Sequence, residues 1–227
     1  MYTLHIANKN YSSWSLRPWV LMQELAIPFD EKLSTFAAGS NWNEFRDFCP
    51  SGLVPCLLDG QRVIWDSLAI AEYLAEKHPG VWPDDTDARA WARCAAAEMH
   101  SGFSALRNLC PMNCGIRVQL NTVPETLKHD ISRLDELLGE GLVRFGGPFL
   151  GGNKFSAVDA FYAPVAFRIQ TYGLNLSEPV AEYINRLLLL TSMQQWLESA
   201  LNEPWRDPGH EQEALESGVI LEDFRKA

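Results

Sequence analysis

The hydrophobic pattern of the chain changes near residue 80, and this change limits the folds that the chain can adopt. Before residue 80, short apolar runs typical of strands alternate with segments of helical spacing, in the order strand, helix, strand, helix, strand, strand, helix. A β-α-β unit followed by a hairpin and a helix forms a small mixed sheet covered by helices. Beyond residue 80 the spacing is helical throughout. The sequence therefore predicts two domains of different class.

Local composition sets the predicted domain boundaries. The segment around residues 79–87 is rich in proline, glycine and aspartate, which is typical of a linker. We therefore predict a mixed α/β domain over residues 1–78 and an all-helical domain over residues 88–227. The helices of the second domain are predicted at residues 88–109, 126–143, 158–172, 180–190 and 193–201.

Charge and cysteine content exclude several classes of function. The formal net charge is -10, from 19 basic and 29 acidic residues, which argues against nucleic acid or an anionic membrane surface as the main partner. The five cysteines are irregularly spaced and form no CxxC pair or His-Cys cluster, so we predict neither a disulfide framework nor a metal site. No apolar run is long enough to span a membrane, and no basic-apolar leader is visible at the N-terminus. We therefore expect a cytoplasmic protein.

Three serines crowd the junction between the first strand and the first helix. Ser12, Ser13 and Ser15 lie where a helix leaves its first N–H groups without internal partners. One hydroxyl is enough to cap the helix. Another is then free to face a ligand at the positive end of the helix. These residues alone are equally consistent with a binding site and with a helix N-cap that has more hydroxyls nearby than it needs.

Two further motifs have the same double meaning. Val54-Pro55 opens an apparent sheet strand, where proline is poorly tolerated. A cis bond there would turn the backbone of Val54 outward to pair with a peptide, but an edge-strand proline is the simpler alternative. Asp66-Ser67 begins the next helix, where a hydroxyl, free N–H groups and a carboxylate suit the head of an α-amino acid. A simple N-cap is again the alternative.

In their order and spacing, these motifs resemble the N-terminal domain of the cytosolic glutathione transferases, which has a thioredoxin-like fold with a mixed four-stranded sheet. Residues 11–17 are similar to the Ser-Ser-Cys-Ser-x-Arg motif of the zeta class, and residues 66–74 to the Glu/Gln-Ser-x-Ala-Ile-x-x-Tyr-Leu motif. Ser156-x-x-Asp159 matches the capping box of the family's all-α second domain. The resemblance is to bacterial, serine-type members closest to the zeta class, and it covers essentially the whole chain.

This resemblance implies that glutathione is the co-substrate and that Ser12 is the catalytic hydroxyl. Ser12 would donate a hydrogen bond to the sulfur of glutathione, and Ser13 or Ser15 remain alternatives for this role. The resemblance also implies that Val54 pairs with the cysteinyl backbone, with the bond to Pro55 in the cis form. The residues expected to bind glutathione are Lys9, Val54, Pro55, Asp66 and Ser67.

The second substrate implied by the resemblance is a small hydrophobic electrophile that binds between the domains. The residues expected to form its pocket are Tyr11, Trp14, Met99, His100, Phe103, Arg107 and Met112. The resemblance also implies a homodimer.

One residue departs from the zeta-class motif. Trp14 replaces the cysteine, which places a large indole beside the sulfur site and weakens the case for maleylacetoacetate isomerase activity. The leading hypothesis is a glutathione transferase. A glutathione-dependent cis-trans isomerase of the maleylacetoacetate or maleylpyruvate type is the second hypothesis. A non-enzymatic binding module of the same fold is the third.

Overall fold

The computed structural model describes residues 1–36 and 40–226, and its first domain contains the predicted mixed four-stranded sheet. The elements of this domain are β1 (Tyr2–Ile6), α1 (Ser13–Glu24), β2 (Phe29–Leu33), α2 (Trp42–Arg46), β3 (Cys56–Asp59), β4 (Arg62–Trp65) and α3 (Ser67–Ala75). The strand order is β2-β1-β3-β4, in which β1 is parallel to β2 and antiparallel to β3. Along β1, Tyr2, Leu4 and Ile6 are buried in the core, as the two-residue period of a strand requires.

The second domain is mostly helical and also contains two strands. Its elements are α4 (Thr86–Ser101), α5 (Ser104–Leu109), β5 (Ile116–Leu120), α6 (Glu125–Phe145), α7 (Ala157–Tyr172), α8 (Glu178–Leu188), α9 (Thr191–Asn202), α10 (Pro208–Ser217) and β6 (Gly218–Asp223). The predicted linker at 79–87 overlaps the start of α4. Among the described residues, no helix has the length and apolar character that a membrane span requires.

The prediction of an all-helical second domain needs a correction, because β5 and β6 pair as an antiparallel two-stranded sheet. The apolar alternation of β5 extends over five residues only, and its partner strand comes about a hundred residues later, so neighbouring residues give no sign of the pairing. A second correction concerns residues 88–109, which form two helices instead of one. The chain turns at Phe103, whose φ is 53°, after Gly102, where a Cβ would lie 2.7 Å from the carbonyl oxygen of Glu98.

Helix α7 is buried along most of its length and packs against α1, α4 and α8. The predicted capping box at its start is confirmed. The Asp159 carboxylate accepts hydrogen bonds from the backbone N–H groups of Leu150 and Ser156 at 3.0 and 2.9 Å, and from the Tyr183 hydroxyl at 3.0 Å. Burial raises the pKa of Asp159 to about 6, against the opposing effect of these hydrogen bonds. Asp159 therefore joins the start of α7 to the loop before it and to α8.

We expect Asp159→Ala to lower the free energy of unfolding by about 3 kcal/mol, because three buried donors lose their acceptor. The matched control is Asp135→Ala, since Asp135 accepts bonds from the N–H and the hydroxyl of Ser177 at an exposed helix start. Its loss should cost about 1 kcal/mol. Urea unfolding measures both values, and equal losses at the two positions would contradict the role assigned to Asp159.

Candidate functional site

The three serine hydroxyls have different environments in the structure. Ser12 is the N-cap residue of α1, yet its side chain makes no capping hydrogen bond. Its Oγ instead donates to the Oγ of Ser15 at 2.7 Å, and the Ser15 Oγ accepts from the N–H of Ala7 at 3.2 Å. Ser15 is fully buried, whereas Ser12 borders an open cleft. Because a hydroxyl can rotate and also accept a bond, Ser15 can hold Ser12 while Ser12 donates to a ligand.

Ser13, the first residue of α1, faces a cation from the second domain. Its Oγ accepts a hydrogen bond from Nη2 of Arg168, on α7, at 3.3 Å. Ser13 borders the same cleft as Ser12. The structure thus brings the three hydroxyls together and gives them different partners. Ser15 accepts from the backbone of Ala7, Ser13 accepts from Arg168, and Ser12 donates to Ser15.

The loop that precedes these serines is fixed by residues from the second domain. The Glu203 carboxylate accepts from the backbone N–H of Lys9 at 2.6 Å and of Asn10 at 3.3 Å. The Lys9 carbonyl accepts from the indole N–H of Trp196 at 2.9 Å and from the thiol of Cys114 at 3.4 Å. Glu203 is 5 % exposed, and burial raises its pKa above the usual range. The loop therefore depends on contacts with residues far along the chain.

Lys9 does not have the position predicted for a ligand-binding cation. Its ammonium pairs with Glu31 of β2 at 2.8 Å and lies over the rings of Trp19 and Trp196, at 5.2 and 5.5 Å from their centroids. The side chain is buried in this setting, away from the clefts described below. The interactions with Glu31 and the two indoles stabilise the charge there.

Four other residues predicted to bind glutathione meet in one cleft, which we call the α3 cleft. It has a volume of ≈ 480 Å³ and is bordered by Trp14, Val54, Pro55, Trp65, Asp66 and Ser67. The Val54-Pro55 peptide bond is cis, as the resemblance implies. Asp66, with φ of 65°, caps α3 by accepting from the N–H of Leu68 at 2.8 Å. Among the described residues, the Ser67 hydroxyl is buried without a hydrogen-bond partner.

That unpartnered hydroxyl distinguishes the start of α3 from a simple N-cap, because Asp66 alone makes the cap. A buried hydroxyl without a partner is costly. Ser67 and the first N–H groups of α3 together offer donors for an anionic group in the α3 cleft.

A second cleft of ≈ 260 Å³, the α10 cleft, continues from the first past Trp14. Four of the residues predicted to form the electrophile pocket border it, namely Tyr11, Trp14, Arg107 and Met112. The Tyr11 hydroxyl donates to Glu211 at 2.6 Å, and burial together with this bond raises the pKa of Tyr11. Tyr11 is therefore a neutral wall residue whose proton is already engaged.

The remaining predicted pocket residues, Met99, His100 and Phe103, are not among the residues that border the two clefts. Met99 and Phe103 are buried in the core. His100 contacts Trp14 edge-on, with ring centroids 5.2 Å apart, and its Nε2 lies 3.5 Å from the Asp66 carboxylate. Burial lowers the pKa of His100, which favours the neutral imidazole.

Sequence reasoning missed several residues that border the α10 cleft. Arg168 comes from α7, while His210 and Glu213 come from α10. The ring of His210 stacks on that of Tyr11, with centroids 4.9 Å apart. No local motif marks these residues, because their place depends on how the end of the chain folds back onto the first domain.

The sheet order, the cis proline and the helical second domain define a two-domain protein of the thioredoxin-like class. More narrowly, the chain belongs to the glutathione S-transferase family, whose N-terminal and C-terminal domain models match residues 11–77 and 117–199.

Relatives with known names support membership of this family. Glutathione S-transferase 1 of Dianthus caryophyllus is 30% identical over 77% of this chain and 81% of its own length. A probable maleylacetoacetate isomerase 2 of Drosophila melanogaster is 30% identical over 78% of this chain and 79% of its own. Among solved structures, a Burkholderia glutathione transferase homologue with bound glutathione has a TM-score of 0.64 at 22% identity, covering 88% of this chain and 97% of that one. This last likeness shows the fold.

We expect Glu203→Ala to loosen the loop before α1, because two backbone N–H groups lose a buried carboxylate. The free energy of unfolding should fall by about 2–3 kcal/mol, and the amides of Lys9 and Asn10 should exchange with solvent faster. The control is Glu198→Ala, an exposed glutamate on α9, the helix that ends just before Glu203. Unchanged exchange at Lys9 and Asn10 in Glu203→Ala would show that this carboxylate does not fix the loop.

Proposed function

We propose that the protein is a glutathione transferase that binds glutathione in the α3 cleft, stabilises its thiolate and adds it to a small electrophile in the α10 cleft. The observation that carries this proposal is the unpartnered Ser67 hydroxyl beside the Asp66 carboxylate and the cis Val54-Pro55 bond. Ser67 and the start of α3 would hold the γ-glutamyl carboxylate, and Asp66 the ammonium. The backbone of Val54, which borders the cleft, would pair with the cysteinyl residue.

Ser12 is the best-placed donor to the sulfur. It borders the α10 cleft close to where that cleft meets the α3 cleft, and its partner Ser15 remains fixed by the backbone of Ala7. Ser13 is engaged by Arg168, and Ser15 is fully buried. These contacts favour Ser12 over the two alternatives.

The chemical task is to keep the thiol ionised. A free thiol has a pKa near 8.5, so only about a few per cent is thiolate at neutral pH. A hydroxyl donor and the positive end of α1 both favour the anion. Lowering the pKa by about two units needs ~2.7 kcal/mol, which these two effects together can supply. The protein then mainly orients the thiolate and the electrophile.

An isomerase remains the second candidate, because relatives named maleylacetoacetate isomerase are similar over most of the chain. The two activities differ in stoichiometry, since an isomerase regenerates glutathione while a transferase consumes it. The Trp14 indole at the junction of the clefts favours the transferase. If the chain were a binding module only, neither turnover nor thiolate formation would follow glutathione binding.

Family membership also supports a homodimer and a cytoplasmic location as parts of this proposal. Val63 and Trp65, on β4, leave apolar surface exposed at one edge of the sheet, where a second copy can pack. Light scattering tests the assembly, and a monomer at micromolar concentration would contradict it.

In Ser12→Ala, glutathione should bind about as well as in the wild type, while the pKa of its bound thiol rises by one unit or more because the donor is lost. At pH 7 the value of kcat/KM should fall at least about threefold, in proportion to the thiolate fraction. The ultraviolet absorbance of the thiolate, measured against pH, gives the pKa. The control is Ser101→Ala, an exposed serine whose hydroxyl bonds to the Ala97 carbonyl. An unchanged thiol pKa in Ser12→Ala, with a raised one in Ser13→Ala or Ser15→Ala, would transfer the role.

Ser67→Ala should raise the Kd for glutathione about tenfold, because a charge-assisted hydrogen bond to the γ-glutamyl carboxylate is lost. The thiol pKa of the fraction that binds should stay near the wild-type value, since Ser67 is proposed to bind the γ-glutamyl end and not the sulfur of the central cysteine. Calorimetric titration measures the affinity, again with Ser101→Ala as the control. Equal affinity in wild type and Ser67→Ala would refute this mode of binding.

A further inference from the structure

An aspartate and a histidine at the start of α10 form a hydrogen-bonded pair beside the α10 cleft. One oxygen of the Asp207 carboxylate lies 2.7 Å from Nδ1 of His210 and also accepts a hydrogen bond from the backbone N–H of His210 at 3.0 Å. Asp207 is the N-cap residue of α10 and is 8 % exposed. Because an ionised carboxylate can only accept hydrogen bonds, Nδ1 carries the proton of the neutral imidazole, and Nε2 keeps a lone pair.

The His210 ring is fixed by its neighbours. It stacks on the Tyr11 ring, with centroids 4.9 Å apart and an interplanar angle of 16°, and its centroid lies 4.8 Å from that of Phe36. Within residues 1–36 and 40–226, no group forms a hydrogen bond with Nε2. His210 borders the α10 cleft, as Ser12 does. The structure thus holds a fixed imidazole with an unused acceptor nitrogen at the same cleft as Ser12.

The titratable groups around His210 on its own helix and in the loop before α1 do not offer a free base. The Tyr11 hydroxyl donates to the Glu211 carboxylate at 2.6 Å. That carboxylate is also paired with Arg225, near the end of the chain. Glu213 borders the α10 cleft but is exposed, and a solvated carboxylate is a weak base at neutral pH.

The charged groups that α5 and α7 contribute to the α10 cleft are cations. Arg107 and Arg168 border the cleft, and a guanidinium cannot accept a proton. Positive charge there favours the thiolate form of a thiol over the neutral form. Histidine is the side chain that most often exchanges a proton near neutral pH. The best acceptors for a proton lost at this cleft are therefore water and the His210 imidazole.

We propose that His210 is a catalytic base that takes the proton of the glutathione thiol on Nε2, directly or through one water molecule, and that Asp207 positions its ring. This inference rests on the proposed function and adds the destination of the proton. The S–H bond breaks, its electron pair stays on sulfur, and a new N–H bond forms at Nε2, while Ser12 donates a hydrogen bond to the sulfur. The Asp207 carboxylate stabilises the resulting imidazolium. The proton then passes from Nε2 to solvent, which restores the neutral ring.

The first test follows the His210 imidazole in the wild type, with its histidines labelled with nitrogen-15. At neutral pH, Nε2 should change from an unprotonated to a protonated nitrogen when glutathione binds. S-methylglutathione, which has no thiol proton, should leave Nε2 unprotonated. The spectrum of His210→Gln identifies the His210 signal among those of the five histidines. The proposal is overturned if Nε2 stays unprotonated when the thiolate absorbance appears, or if it carries a proton before glutathione binds.

The second test separates a base from a residue that only packs. In His210→Gln, kcat at neutral pH should fall at least about tenfold, because the thiol loses its proton acceptor and the thiolate loses the imidazolium charge. The KM for glutathione should change less than about twofold. Asp207→Asn keeps a capping oxygen but loses the charge, and should lower kcat at least about threefold. The control, His129→Gln, removes an exposed histidine 3.9 Å from Asp130 and should keep the wild-type kcat.

The possible failures of the two tests are distinguishable. An unchanged kcat in His210→Gln, or a change in KM alone, would show that His210 only packs against Tyr11. Glutathione binding and turnover would in that case leave the transferase proposal standing. Absence of glutathione binding to the wild type would instead refute the proposed function itself.

Discussion

The rest of the site depends on the hydrogen bonds that Glu203, Trp196 and Cys114 make with the backbone of residues 9 and 10. It fixes the loop between β1 and α1, and the loop fixes where α1 begins. The position of the three serine hydroxyls follows from that start. Glu203, Trp196 and Cys114 belong to the second domain. The position of the serines in the first domain therefore depends on contacts with the second domain. A buried carboxylate is suited to this task because it accepts from two N–H groups at once.

The starts of α1 and α3 both border a cleft and both carry a hydroxyl that does not cap the helix. At α3 the cap is made by Asp66, which leaves the Ser67 hydroxyl unused, and at α1 the serine at the cap position makes no cap at all. Both helices therefore present polar groups beyond what their own backbone needs. An anion at the N-terminus of α1 or of α3 would be stabilised by the positive pole of the helix dipole and by a hydrogen bond from a hydroxyl. The two clefts meet at Trp14, so the ligands they hold would contact one another there.

The sequence predicts those parts of the structure that depend on neighbouring residues. The order of strands and helices in the first domain and the capping box of Asp159 follow from short patterns with a local physical cause. The cis bond before Pro55 follows from the family resemblance, since the residues alone are equally consistent with an edge-strand proline. The β5–β6 pair, the partners of Lys9 and the bond between Arg168 and Ser13 depend on segments far apart in the chain. Lys9 illustrates the limit: its charge suggested a ligand, but the ion pair with Glu31 and the two indoles could be known only from the fold.

Trp14 helps to explain how two positively charged side chains, Arg17 and Arg107, can lie close together. Arg17 and Arg107 repel one another, yet each lies against the electron-rich indole, and Arg17 also lies 4.9 Å from the ring centroid of Phe161. Cation–π contacts of this kind contribute about 0.5–2 kcal/mol each. They offset part of the repulsion between the two guanidinium groups, but both groups keep their positive charge. A cysteine at position 14, as in the zeta-class motif, would offer no such surface. The indole thus allows positive charge to lie beside the start of α1, next to the position proposed for the sulfur of glutathione.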